Sequence, residues 1–560
     1  MGGMVSTQVS WRGRRGRRGA ELRWVRVASL GLALLLGLAL SPRDATASAL
    51  PRVVKQDGRY ALLVDGAPFL MLSAQVNNSS SWPAMLPKVW PAVAQLHANT
   101  VEVPIAWQQI ESREGSFDFS FLDTLLTQAR DQHVRLVLLW FGTWKNNGPA
   151  YAPEWVKLNN ERFPRVINAK GVRRDSLSPN FETTLAADRN AFVALMRHLQ
   201  TVDADRTVIM VQVENETGTY GAVRDYSPAA QQLFGAQVPT QILKALDQRP
   251  GTWAQVFGKD ADEFFQAYSI AHFVEQVAAA GKAAYPIPMY VNAALRDPFR
   301  AQDPYEYASG GPTWNVLDIW KAAAPSIDVI GPDIYLHDYR SYTRTLELYG
   351  RADNALFVPE TGNGQENARF FFEVVGRGGL GFAPFGMDFT GYVNFPLGAP
   401  KLDEETIEAF ARNYKLVEPM MRELAQLNFQ GKVWGAAEPL ETHVQHIVLG
   451  SPGNAPWQVE VSYGREMFGD GEAKGNTTPS GGVLVAQLGA NEYLVTGYRA
   501  RLRFERAQPG KSPFMLARVE EGHYEQGQWI FERLWNGDQT DWGLNFTSLP
   551  QVLRVRLAEY

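Results

Sequence analysis

The chain has 560 residues, 45% of them hydrophobic and 20% charged, a formal net charge of −5 and no cysteine. That length exceeds one ordinary domain, and the composition supports a large core. The absence of cysteine excludes disulfides, cysteine nucleophiles and thiolate metal sites.

Residues 1–49 hold eight Arg and two acids, a local charge of +6 against −5 for the whole, which leaves −11 for the rest. An acidic body argues against nucleic acid or an anionic membrane as partner. Arg12, Arg14, Arg15, Arg17, Arg18, Arg23 and Arg26 precede an apolar run at 27–40, and Ala47-Ser48-Ala49 offers a small-residue cleavage site. This order reads as a secretory signal peptide over 1–49, cut near Ala49, with export to the periplasm or the exterior by the Sec or the twin-arginine route. The apolar run is shorter than the ~20 residues a span needs, so no membrane contact is expected once the leader is removed. An uncleaved anchor is the alternative.

Residues 53–66 read as a hairpin. Apolar strand-like runs then fall near 68–75, 99–106, 134–141, 207–214, 287–292, 327–335, 354–360 and 379–385. Amphipathic helical stretches fall near 83–97, 120–132, 188–201, 262–281, 315–323, 340–350, 364–375 and 403–425. The alternation predicts an α/β fold, a (β/α)8 TIM barrel over 50–425. The connections 142–186 and 217–261 are long enough to be functional lids or site walls. From 426 to 560 the runs 459–463, 483–487, 493–504 and 553–557 largely alternate apolar and polar residues, which predicts a smaller antiparallel β-sandwich-like domain.

The chemistry concentrates at two strand ends. Gln212-Val213-Glu214-Asn215-Glu216 closes the apolar run 207–211, and Glu360 closes 354–360 ahead of Thr361-Gly362. Catalytic groups of barrels gather at the carboxyl ends of strands. Two carboxylates there are the minimum equipment of a glycosidase, with the pair about 5–5.5 Å apart in retaining enzymes. Strict strand alternation puts Glu214 and Glu216 on one face, with Glu214 one layer deeper. Gln75, Asn77 and Asn78 follow the first strand, Trp107 and Gln108 the second, and Trp140, Trp144, Asn146 and Asn147 the third. Aromatic rings with amides suit a sugar pocket, so these are candidate substrate-binding residues.

The Gln-Val-Glu-Asn-Glu string resembles glycoside hydrolase family 35, the β-galactosidases, in its bacterial branch with an extra C-terminal β domain. Asn99-Thr100-Val101-Glu102 through Trp107, followed by Glu114-Gly115-Ser116-Phe117-Asp118-Phe119, resembles the family's second strand and following turn. The likeness spans roughly 55–425 and is strongest over 68–216. It implies Glu216 as acid/base and Glu360 as nucleophile. It also implies Asn215 on the sugar 2-hydroxyl and Tyr335 as a hydrogen-bond partner of the nucleophile, with Asp333 a same-face neighbour of Tyr335.

The chain departs from the family's sugar-reading set. Lys145-Asn146-Asn147 stands where the family carries a Cys-Ala-Glu string, Pro104 near a usual tyrosine, and Ala74-Gln75 at a usual Gly-Glu. Eight His without an H-E-x-x-H spacing, and no P-loop or dinucleotide fingerprint, lead us to expect no metal and no cofactor. The expected activity is that of a retaining, exo-acting β-galactosidase on a carbohydrate substrate, with plant cell-wall side chains among the candidates. A retaining β-glycosidase of another sugar specificity, such as a β-glucosidase, and an inactive carbohydrate-binding protein on the same fold remain open, as does oligomeric state.

Overall fold

The computed structural model describes residues 49–451, 453, 455–466, 470–508 and 512–560. All but the last residue of the expected leader therefore lies outside the described residues. Among the described residues no helix is long and apolar enough to cross a membrane.

An antiparallel three-stranded sheet, Arg52–Gln56, Arg59–Val64 and Ala67–Phe69, leads into the barrel. Eight strands then close on themselves: Met71–Gln75, Thr100–Ala106, Arg135–Lys145, Val208–Asn215, Met289–Ala294, Val329–Ile334, Val358–Thr361 and Gly381–Pro384. All neighbours run parallel. The α/β (β/α)8 barrel is thus the architecture. Each strand falls on an expected apolar run, because barrel strands are covered on both faces and read as continuous hydrophobic stretches. Met71, Val137, Leu139, Phe141, Met210, Tyr290, Val329 and Phe357 fill the interior. A larger cluster, including Leu122, Leu138, Phe192, Val211 and Val274, joins the strands to the surrounding helices.

Helices follow the strands in order, from Leu86–Leu96 and Ser120–Asp131 to the final pair Glu404–Val417 and Met421–Phe429. Asp338 and Asp403 cap two of them through side-chain oxygens that accept the backbone N–H of Ser341 and Thr406. The connection after the third strand carries a short antiparallel pair, Arg165–Ile167 with Arg173–Leu177. That after the fourth carries helices Pro228–Phe234, Thr240–Ala245 and Trp253–Phe257.

Beyond Phe429 the chain forms two antiparallel sheets, one of six strands and one of four. Trp457, Val459, Val461, Val483, Val485, Val495, Leu502 and Leu553 fill the space between them, which makes this region a β-sandwich. The expected run 493–504 is two strands, Glu492–Tyr498 and Ala500–Arg506, broken at Arg499, where φ is +44°. The strand Val433–Ala437 presses on the barrel helix Phe370–Gly376. Glycine permits that approach: a Cβ on Gly435 would lie 2.1 Å from the Phe372 carbonyl oxygen.

Candidate active site

Strand register sets which residues meet at the carboxyl end of the barrel. Gln75 lies beside Glu102, Lys145 beside Asn215, and Asp333 beside Glu360. Glu360 is buried, and each of its oxygens accepts a hydrogen bond: Oε2 from Gln75 Nε2 at 2.8 Å and Oε1 from the Tyr335 hydroxyl at 2.5 Å. Burial and the Glu360 charge push the Tyr335 phenol well above its ordinary value, so it stays a donor. The expected Tyr335 contact is present. Gln75, expected among the substrate-binding residues, donates to Glu360.

One oxygen from each of Glu216, Asp333 and Glu360 lies within 4.8 Å of the others. The Glu216 backbone N–H donates to Asn292 Oδ1 at 2.9 Å, and Asn292 Nδ2 donates to Asp333 Oδ2 at 2.6 Å. One asparagine thereby ties the acid/base candidate to its carboxyl neighbour. Burial raises Glu216 to about 7, helped by the Glu360 charge and opposed by the Lys145 ammonium and a hydrogen bond with Asp333. Asp333 is pushed well above its range by burial, then by Glu360 and Glu216. Glu216 and Asp333 are hydrogen-bonded to one another, so the titration of each depends on the other. Such a cluster has the spacing to hold a cation, and Lys145 is a cation that the chain itself brings to it.

Burial also raises Glu102, which accepts from the Tyr290 hydroxyl at 3.2 Å inside the barrel. Lys145, Asn292 and Glu102 are not among the site residues expected from sequence. Lys145 carries a visible signal, a charged residue at the end of an eleven-residue apolar strand. Nothing in the sequence marks Asn292.

The backbone bends sharply at the motif. Glu214 has φ +64° and Glu216 φ +44°, left-handed values rare for side chains of this size. Each costs about 1–3 kcal/mol and persists only where the surroundings hold it. The bend overturns the expectation that Glu214 and Glu216 share a face. Glu214 turns away to the helix layer, where Oε2 accepts the Trp144 N–H at 2.7 Å and the carboxyl pairs with Asp188 of helix Glu182–Val202. Burial and the Asp188 charge raise Glu214 well above its usual value. Asp188 also accepts from the Trp140 indole at 2.9 Å and the Thr143 N–H at 2.9 Å.

Two further expectations are corrected. Trp107 is fully enclosed, its indole N–H donating to Glu111 Oε2 at 2.8 Å. Trp144 is also enclosed, packed on Phe273 with its indole N–H on the Leu177 carbonyl. Both are core residues and present no ring to a sugar: Trp107 opens a short helix after the second strand and Trp144 lies within the third, each with its side chain packed into the helix layer. Asn146 is exposed and Asn147 buried, both in left-handed conformation, and Asn146 accepts from the Lys145 ammonium. The amides of Asn147 and Asn215 are buried with neither polar atom hydrogen-bonded within the protein, and Asn78 Oδ1 is likewise unpartnered. Buried amides of this kind call for a bound water or ligand.

A family model for β-galactosidases, glycoside hydrolase 42, matches residues 81–269, and a domain of unknown function, DUF5597, matches residues 410–547. The first match falls on family 42, not on the family 35 that the motifs resemble. A β-galactosidase of Xanthomonas manihotis is 30% identical over 199 residues, 34% of this chain and 30% of that protein. The chain therefore matches less than a third of that relative's length. Among solved structures, the β-galactosidase of Bacillus circulans sp. alkalophilus aligns at TM-score 0.47 and 14% identity, over 63% of this chain and 57% of its own. That of Marinomonas ef1 aligns at TM-score 0.46 and 14% identity, over 64% and 61%. In sequence, the chain is β-galactosidase-like over residues 81–269, which include Glu216 just past the fourth strand.

Proposed function

We propose that this chain is an exported, retaining, exo-acting β-galactosidase that removes terminal β-galactosyl residues from oligo- or polysaccharides. The observation that carries the reading is the facing pair itself: Glu360, held by Tyr335 and Gln75, and Glu216, which keeps a proton to about pH 7. The 4.8 Å limit on their oxygens fits a direct displacement and leaves less room than an inverting enzyme gives its water.

In the first step a Glu360 oxygen attacks the anomeric carbon while Glu216 gives its proton to the departing glycosidic oxygen. The aglycone leaves as an alcohol, and the sugar remains as an ester on Glu360. In the second step Glu216, now ionised, takes a proton from water as that water attacks the same carbon. The sugar departs with its original configuration, and both carboxyls return to their starting state. The two donors on Glu360 fix its orientation for attack. Burial, with the Glu360 charge, keeps Glu216 an acid near neutral pH, where an ordinary glutamate would be ionised.

A second reading, a β-glycosidase for another sugar, is favoured by Lys145, Asn146 and Asn147 in the place of the resembled family's galactose-binding string. A panel of 4-nitrophenyl β-glycosides separates the two, with the galactoside expected to be turned over fastest. NMR of the fresh product should show the β-anomer first. Initial release of the α-anomer would overturn retention, and no turnover of any β-glycoside would overturn the enzyme reading.

A further inference from the structure

Exposed apolar surface is distributed one-sidedly on the barrel. Thirteen large apolar side chains are exposed among the described residues 52–429, and every one lies in a connection leaving the carboxyl end of a strand. None lies on the connections at the opposite end or on the helices that flank the strands. Scattered exposed apolar residues need no explanation, but a set confined to the face that carries the candidate site does.

Five of the thirteen fall within residues 389–397, after the eighth strand. Tyr392 is 59% exposed and Phe395 65%, and Trp82, after the first strand, is 49% exposed. Two polar anchors fix this loop pair beside Glu360. Buried Asp388 accepts the Asn77 N–H at 2.7 Å, the Asn77 amide at 3.0 Å and the Ser80 hydroxyl at 2.8 Å, which clips the first connection to the eighth. Asn363, three residues past Glu360, accepts the Ala399 N–H at 2.8 Å, and a Cβ on Gly362 would meet the Leu397 carbonyl oxygen at 2.9 Å. Across the mouth, exposed Tyr220 lies close enough to Glu216 for the carboxylate to add to the effect of burial in raising its phenol.

Resting on the glycosidase reading above, we propose that Trp82, Tyr392 and Phe395 form an aromatic platform that binds the sugars behind the scissile bond, so that the substrate is a saccharide chain and not a short galactoside. The geometry gives the reason. Once the terminal sugar sits between Glu216 and Glu360, the rest of the molecule must leave through the mouth that these loops border. Sugar rings present apolar C–H faces, which stack on aromatic rings while their hydroxyls stay in water. Rings held on anchored loops bind without ordering the loop on each encounter.

The test compares the full chain with Trp82→Ala and Tyr392→Ala/Phe395→Ala on two substrates. One is 4-nitrophenyl β-galactoside; the other is a ladder of β-1,4-galacto-oligosaccharides of two to six sugars. The wild type should show kcat/KM rising about tenfold along the ladder, the order of one good ring contact. The variants should flatten that rise and keep the nitrophenyl rate within about twofold, since that substrate does not reach the platform. A flat ladder in the wild type, or equal losses on both substrates, overturns the proposal. If no β-glycoside is turned over, the glycosidase reading fails by itself. Calorimetry with galacto- and cello-oligosaccharides then decides the platform: tighter binding of hexamers than dimers, lost in the variants, upholds it, and equal binding overturns it. Self-association of the wild type that the variants abolish, with no saccharide length effect, would assign the surface to a second copy of the chain instead.

Discussion

The mouth of the barrel and the seam between barrel and sandwich both bury polar groups, but they treat them differently. At the seam, Arg369 donates to the carbonyls of Glu438, Glu366 and His337. The Glu438 carboxylate accepts from the Asn476 and Gly481 N–H groups, the Ser480 N–H and the Asn476 amide. At the mouth, Asn147 and Asn215 keep both amide atoms unpartnered, Glu214 and Glu216 hold strained backbone, and burial raises the carboxyls of Glu216 and Asp333. The two buried charges of the seam, Arg369 and Glu438, are thus met by partners within the protein. The mouth carries unspent hydrogen-bonding capacity, which an incoming polyhydroxylated molecule would satisfy.

This contrast predicts that changes at the mouth cost rate and changes at the seam cost stability. The largest effect should come from Glu360→Gln, with kcat down by at least about 10³-fold and a melting temperature near wild type. Azide should rescue Glu360→Ala and release the α-glycosyl azide, and unrescued turnover in Glu360→Gln would remove the nucleophile assignment. Next, Glu216→Gln should lose about 10²-fold or more on poor leaving groups and far less on activated aryl glycosides. Equal losses on both would return Glu216 to a structural role.

At the seam, Gly435→Ala should cost about 1–3 kcal/mol in denaturant titration with kcat unchanged, because a methyl group there meets the Phe372 carbonyl. A smaller effect concerns pH. Glu214 and Glu102 have folded-state values raised above their unfolded ones. Their contribution to stability is therefore full below about pH 4 and falls as pH rises from there toward the raised values, by up to about 1.4 kcal/mol per pH unit each. Glu214→Gln should flatten the decline above about pH 4, and an unchanged slope would show that the buried carboxyl is not protonated. The smallest shift is expected for Asp333→Asn. Without the Asp333 hydrogen bond, which lowers Glu216, the acid should hold its proton longer, moving the alkaline limb of kcat/KM to higher pH. A limb that stays in place would separate Asp333 from the acid/base.

Much of this architecture is legible in the sequence, and the parts that are not have specific physical causes. The barrel strands announce themselves because burial on both faces demands unbroken apolar runs, as at 207–214 and 134–141. The Glu216 and Glu360 positions stand out as charges ending such runs. Alternation misplaces Glu214 because it assumes extended backbone, and a single left-handed residue redirects the side chains beyond it. Trp107 and Trp144 are misplaced because a position at a strand end does not say which layer a ring enters, and the third strand runs on to Lys145, past the expected end at 141. The Glu216–Asn292–Asp333 link joins three different strand ends across 117 residues of sequence, and no local pattern encodes it.

Gln75 closes the barrel as well as holding Glu360. Its carbonyl accepts the N–H groups of Gly386 and Met387, and its amide reaches Glu360 across 285 residues of sequence. The Glu360 carboxylate thus keeps its Gln75 donor only while the last strand is docked on the first, a contact of long sequence separation. Turnover should therefore report on ring closure: under mild denaturant, parting of the first and eighth strands should end activity even where the remaining helices persist.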